Sequence, residues 1–239
     1  MRDLIDTHRV RRVLIAVGAL MAATLVAVPL LMSHHPQHSA KAAPSQHPTT
    51  TPLPLPSGAV TLVHGAHMAD GIETGYPHTT IGAISAAAQY LGAVASTLDP
   101  DYAASLMRVA GDPDDASLPA SLAESTVKLR RDLQLPASGP LPPPTSFQTT
   151  PQMYQLRDAT ADSVMVLLLT SSTFINTRGG IAQTTGVFPV RMHWTGGDWR
   201  LADIGGTGQD FSVLAATPDT QEAAGRGWKA LIATVGGAS

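Results

Sequence analysis

The sequence predicts an α+β protein laid out as an N-terminal transmembrane helix, a disordered linker and one folded domain. Three observations carry this. Val13–Met32 is an apolar run of 20 residues with no charge. Residues 33–75 mix Pro, His, Ser and Thr with few large apolar side chains. Past Pro77, apolar residues recur at helical steps first and alternate in strand fashion later, the order expected of helices set on an antiparallel sheet.

At about 1.5 Å per residue a helix over Val13–Met32 covers about 30 Å, the thickness of a bilayer's hydrocarbon core. It has no polar face to turn toward water. A cleaved secretory signal is the competing reading, but its apolar stretch is shorter and its cleavage site closer. Here the A-x-A-like Ala40-Lys41-Ala42 lies well past Met32. Arg2, Arg9, Arg11 and Arg12 precede the run, and Lys41 is the first firm cation after it. The positive-inside rule therefore puts residues 1–12 in the cytoplasm as a tail and the remainder outside, at the cell membrane. Pro29 sits near the far end, where a lost backbone bond matters least.

The chain has no cysteine, which excludes disulfides, thiolate chemistry and cysteine-based zinc sites. Its net charge is −3. With the basic tail set aside the exterior part is more acidic still, so it has no footprint for nucleic acid.

Residues 33–75 read as a tether, too poor in apolar residues to bury a core. A coil of that length spans about 35–40 Å. Gly58–His67 holds a brief apolar pattern, a short isolated strand at most. Residues 76–235 form the domain, long enough for one core. Thr79 or Thr80 caps a helix to about Leu98, with Ile81, Ile84, Ala88, Leu91 and Ala95 on its apolar face. Its many Ala and Gly residues leave a shallow surface for a close neighbour. Asp99-Pro100 caps a second helix that buries Tyr102, Leu106 and Val109 and stops at Gly111. A third starts between Asp115 and Ser121, carries Leu122, Leu129 and Leu133, and ends before Pro136.

Residues 136–151 read as a proline-rich connection. Strands follow at Met153–Asp158, at Ser163–Thr170 (apolar on both faces, hence central) and at Gly186–Trp194. A Gly196-Gly197 turn then leads into Trp199–Ile204. Pro218–Ala224 and Trp228–Val235 each read as a short helix.

Three helices followed by an antiparallel sheet that ends in the hairpin His193-Trp194-Thr195-Gly196-Gly197-Asp198-Trp199-Arg200-Leu201 resemble the NTF2-like cone fold. With the anchor, and with the Gly75–Ala87 segment that opens the domain, the chain is similar to single-pass actinobacterial membrane proteins and to the VirB8/TcpC group. That group often carries two such domains; this chain has room for one. The resemblance implies a non-enzymatic scaffold or assembly component of a conjugative-transfer or secretion-like envelope complex. Its expected partners are membrane lipid through residues 13–32 and envelope or channel proteins through the domain, with homo-oligomers possible. The surfaces expected to serve are the Thr79–Leu98 helix and the sheet face around Arg191 and Arg200. The alternative is an exported module that binds a small ligand inside the cone.

No residue is expected to be catalytic, cofactor-binding or metal-binding. His34, His35 and His38 read as solvated tether residues, and His64 and His67 lack the further ligand a zinc site needs. His78 reads as a local hydrogen-bonding residue. On the sheet, Tyr154, Asp158, Arg191, His193, Arg200 and Asp203 are the groups from which acid–base chemistry would have to come. Asp198 reads as a turn former. Gly205-Gly206-Thr207-Gly208 has no lysine to cradle a phosphate. Trp194 and Trp199 read as packing residues, Trp194 being the one whose loss is expected to destabilise the domain.

Overall fold

Thr79, one of the two caps the sequence offers, opens the first helix. In the computed structural model, which describes residues 53–205 and 208–234, its hydroxyl accepts a 3.0 Å bond from the Gly82 N–H. The expected cytoplasmic tail, the membrane helix Val13–Met32, the first part of the tether and Gly206-Thr207 lie outside the described residues. Among those described, no helix is long and apolar enough to cross a membrane.

Helix α1 (Thr80–Val94) is buried on almost every side, with Ala83, Ile84, Ala86, Ala87, Tyr90 and Leu91 fully enclosed. A Cβ on Gly82 would fall 2.0 Å from the Pro77 carbonyl oxygen, so only glycine lets the chain fold back here. The shallow Ala/Gly surface does receive a close neighbour. That neighbour is the protein's own sheet, which leaves Ile81 as the exposed large apolar side chain of this helix.

In α2 (Pro100–Ala110) the Asp99 carboxylate accepts from the N–H groups of Asp101 and Tyr102 at 2.9 and 3.2 Å. The buried stripe is Ala103, Leu106, Met107 and Ala110; Tyr102, expected inside, is 47% exposed. Helix α3 (Leu118–Asp132) packs on α2 and buries Leu122 and Leu129 as its spacing predicts.

The sheet is built from four long antiparallel strands in chain order, β4 (Ser146–Arg157), β5 (Ser163–Ile175), β6 (Ile181–Thr195) and β7 (Asp198–Ile204). Strand β8 (Lys229–Ile232) adds antiparallel to β4, and β1 (Val60–Thr61) adds parallel to β8. The order is β1-β8-β4-β5-β6-β7. A separate hairpin, β2 (His67–Ala69) and β3 (Ile72–Thr74), turns at Asp70-Gly71, both at positive φ. Register shifts at Pro151/Met153 and Arg191/Met192 bend the sheet, which is curved.

Several expectations need correcting. The helix expected over Trp228–Val235 is not seen in residues 228–234: Gly227 at φ +86° breaks the chain direction, and Lys229 and Ala230 pair with β4. Strand β4 starts at Ser146, inside the expected proline connection. Strands β5 and β6 run on to Ile175 and back from Ile181. Those added halves are rich in Ser and Thr, which suit a strand but show little hydrophobic alternation. Strand β1 is not isolated, since Val60 is buried and faces Leu231, so the folded part begins inside the span read as tether. The short helix α4 (Gln221–Gly225) is where the sequence puts one, capped by Thr220.

Both sheet faces are covered. Tyr154, Val166, Leu168, Val190, Met192 and Leu201 meet α1 and α2 on one side. Met165, Leu167, Leu169 and Val187 meet Phe211, Ala223 and Trp228 of the C-terminal segment on the other. Strand β5, second from neither edge and apolar throughout its first half, is central as read.

Candidate functional site

The richest polar constellation lies where the β6–β7 hairpin meets the segment leading into α1. Gly196 and Gly197 take the positive φ values their turn requires. The next residue, Asp198, does far more than form the turn. Only 3% exposed, it accepts from the Tyr76 and Trp199 N–H groups with Oδ1, each at 2.8 Å. Its Oδ2 lies 3.4 Å from Arg200 Nη2 and 3.5 Å from the Tyr90 hydroxyl. Burial first, and the nearby charges of Glu73 and Asp198 after it, push the Tyr76 hydroxyl up; burial and Asp198 do the same to Tyr90. Both phenols therefore stay neutral.

Arg200 continues the strip outward. Its Nη1 donates to the Val109 carbonyl at the end of α2. Gly111 bridges to Leu201, and the Asp112 N–H donates to the Leu201 carbonyl at 2.8 Å. The α2–α3 connection thus covers the free edge of β7. Asp112 Oδ2 then meets His193 Nδ1 at 2.8 Å. Burial alone would raise the Asp112 carboxyl. The His193 hydrogen bond, the Asp114 N–H and the positive charges of His193 and Arg200 outweigh it and hold Asp112 below the usual carboxylate range. A depressed carboxyl stabilises the fold above its unfolded value and loses that contribution as pH falls through its folded value. Between about pH 5 and about pH 3 the parent should therefore lose more stability than Asp112→Asn, measured by urea denaturation at each pH.

An aromatic wall backs the strip. Trp199 is fully buried, and its Nε1 donates to the Pro77 carbonyl at 3.0 Å. Trp194 meets it edge-on at 5.5 Å between centroids, and the His78 ring stacks on Trp194 at 4.1 Å. His78 Nε2 lies 3.0 Å from Asp162 Oδ1. Nearby, Glu73 accepts from His64 at 2.8 Å and from the Gly65 N–H at 3.0 Å. Those bonds lower its carboxyl against the opposing pull of burial, which is the largest single influence.

The sheet residues considered for chemistry do not converge. Tyr154 is buried on the helix side, its hydroxyl donating to the Gly58 carbonyl at 2.7 Å. Arg191 faces the other side, opposite Asp203 in the β6–β7 register and 4.0 Å from Asp158. His193 and Arg200 belong to the clamp just described. His67 sits exposed on β2, while His34, His35 and His38 lie outside the described residues. Among the described residues no group of three His, Cys, Asp or Glu could hold a metal. The His193–Asp112 pair could hold an imidazole in one tautomer, but its partners tie α2 to the sheet instead of lining a chamber. A cavity of about 440 Å³ lies elsewhere, between the end of α1, the start of α2 and residues 139–147, and none of these side chains lines it.

Asp112, Glu73 and Arg130 are not singled out by the sequence. Asp112 sits in an acidic turn-like Gly-Asp-Pro-Asp-Asp run, and Glu73 sits in the supposed tether. Arg130, beside Arg131 in the last turn of α3, reads as an ordinary helix-end cation. The brief apolar pattern at Gly58–His67 and the Asp70-Gly71 pair were the signals that part of this supposed tether is folded.

Fold and site together define an α+β domain whose polar strip fastens its first helices to a curved sheet. The chain belongs to the family described as a domain of unknown function, DUF8175, whose model matches residues 65–224. No curated protein and no solved structure shows a significant match to it.

Proposed function

We propose that this is a membrane-anchored, non-enzymatic assembly protein of a conjugative or secretion-like envelope complex, its NTF2-like domain held outside the cytoplasm by residues 13–32. The observation that carries the reading is the filled interior of the sheet. Tyr154, Val166, Leu168, Val190 and Met192 have zero exposure, so no water-sized void touches them and a substrate has no chamber there. The same filling leaves a small ligand no room beside these five side chains. The apolar run behind four arginines supplies the anchor.

Exposed apolar side chains supply the contact surface. Leu55, Val63, Ile81 and Ile232 all stand out to solvent. Local hydrogen bonds bring them to one rim: Thr80 to Pro54, Val63 to Ser85, and Leu62 to Ile232. That rim is where the chain enters the domain, and it takes in the exposed Ile81 in the first turn of α1.

The test is fractionation with crosslinking in native cells. The full chain should sediment with membranes, release only in detergent, and be cut by protease added from outside. A photo-crosslinker at Ile81 should capture a defined envelope protein, while one at Thr177, on the far hairpin, should not. Intact chain in the soluble cytoplasm would end the proposal.

A further inference from the structure

The cavity beside α2 has a chemical peculiarity independent of the scaffold reading. Among the described residues, two buried side-chain polar atoms lack a hydrogen-bond partner, Arg130 Nε and Thr145 Oγ1. Both residues line this one cavity. Arg130 is 1% exposed. Its Nη1 donates to the Leu98 carbonyl at 3.3 Å and its Nη2 to the Gly139 carbonyl at 2.7 Å. It forms no ion pair among the described residues. A guanidinium stays charged at any ordinary pH, and a buried charge without an anion is unfavourable. The Leu98 and Gly139 carbonyls offset part of that, but a carbonyl dipole is a fraction of a charge.

We propose that this cavity binds a small monoanionic carboxylate carrying an apolar tail. The unpartnered Arg130 Nε–H, with an Nη hydrogen not used by the carbonyl bonds, can meet the two oxygens of a carboxylate, and the Thr145 hydroxyl can donate to the same group. Leu98, Leu141 and Phe147 give the tail an apolar wall. The volume, about 440 Å³, suits a small molecule. Asp99 on the same wall selects against a second negative charge. Its Oδ1 is committed to the N-terminus of α2, and its charge disfavours a dianion more than a monoanion.

Calorimetric titration of the full chain in non-ionic detergent tests this, with phenylacetate, its neutral analogue phenylacetamide, and inorganic phosphate as probes. Phenylacetate should bind at one site at least about tenfold more tightly than the amide. Ser146→Trp, at the exposed start of β4 on the rim, should abolish binding while leaving the melting temperature unchanged. Arg130→Lys, which keeps the charge but loses the fork, should weaken it about tenfold. If Arg130→Lys fails to fold, the Ser146→Trp comparison decides. Equal binding of acid and amide, tighter binding of phosphate, retention of binding in Ser146→Trp, or no heat up to about 10 mM phenylacetate would each overturn the proposal.

Discussion

Trp199→Ala is expected to lower the unfolding free energy by about 3–5 kcal/mol, the range for removing a large aromatic from a closed core. The indole is fully buried, and its neighbours come from two distant parts of the chain: Trp194 on the paired strand, and Pro77-His78 before α1, whose Pro77 carbonyl Nε1 reaches. Truncation opens a cavity that the strand cannot collapse into, because Asp198 and Leu201 on either side are held by the clamp. The Pro77 carbonyl also loses its donor. Urea denaturation of the full chain against its parent measures the loss. Trp194→Ala is the built-in comparison. Trp194 is only partly buried and stacks on the exposed ring of His78, so its loss should be clearly the smaller of the two.

That contrast shows what the sequence made legible. Trp194 and Trp199 flank the same turn, so spacing alone identifies a packed hairpin. Which ring is enclosed depends on where Tyr76–His78 crosses the sheet, a contact more than a hundred residues away in the chain. The caps at Thr79 and Asp99 and the central place of Ser163–Thr170 were readable because their causes are local. The far halves of β4, β5 and β6 were not, because their Ser and Thr residues pair by register with neighbours instead of by burial. Strand β8 was misread for the same reason: Lys229–Ile232 owes its extended form to β4 and β1 on either side. The candidate site was legible as residue types but not as partnerships. Asp198 looked like a turn residue, and nothing local to His193 or Asp112 showed that the two meet.

Asp198→Ala separates those two descriptions of one residue. A residue that only shapes an exposed turn is worth about 0.5 kcal/mol on removal. As the buried centre of the clamp it is worth much more. Its loss leaves the Tyr76 and Trp199 N–H groups without acceptors and takes the carboxylate from Arg200. Each orphaned buried donor costs about 1–3 kcal/mol, so the expected loss is about 3–5 kcal/mol. Asp198→Asn should lose about half as much, because an amide oxygen can still accept from both N–H groups while the charge facing Arg200 is gone. Parallel urea denaturations of the three proteins give the ranking. Near-identity of all three would mean that the strip between Tyr76 and Asp112 contributes nothing to holding the helices on the sheet. The graded order would instead make Asp198 the joint through which the β6–β7 hairpin grips the start of α1.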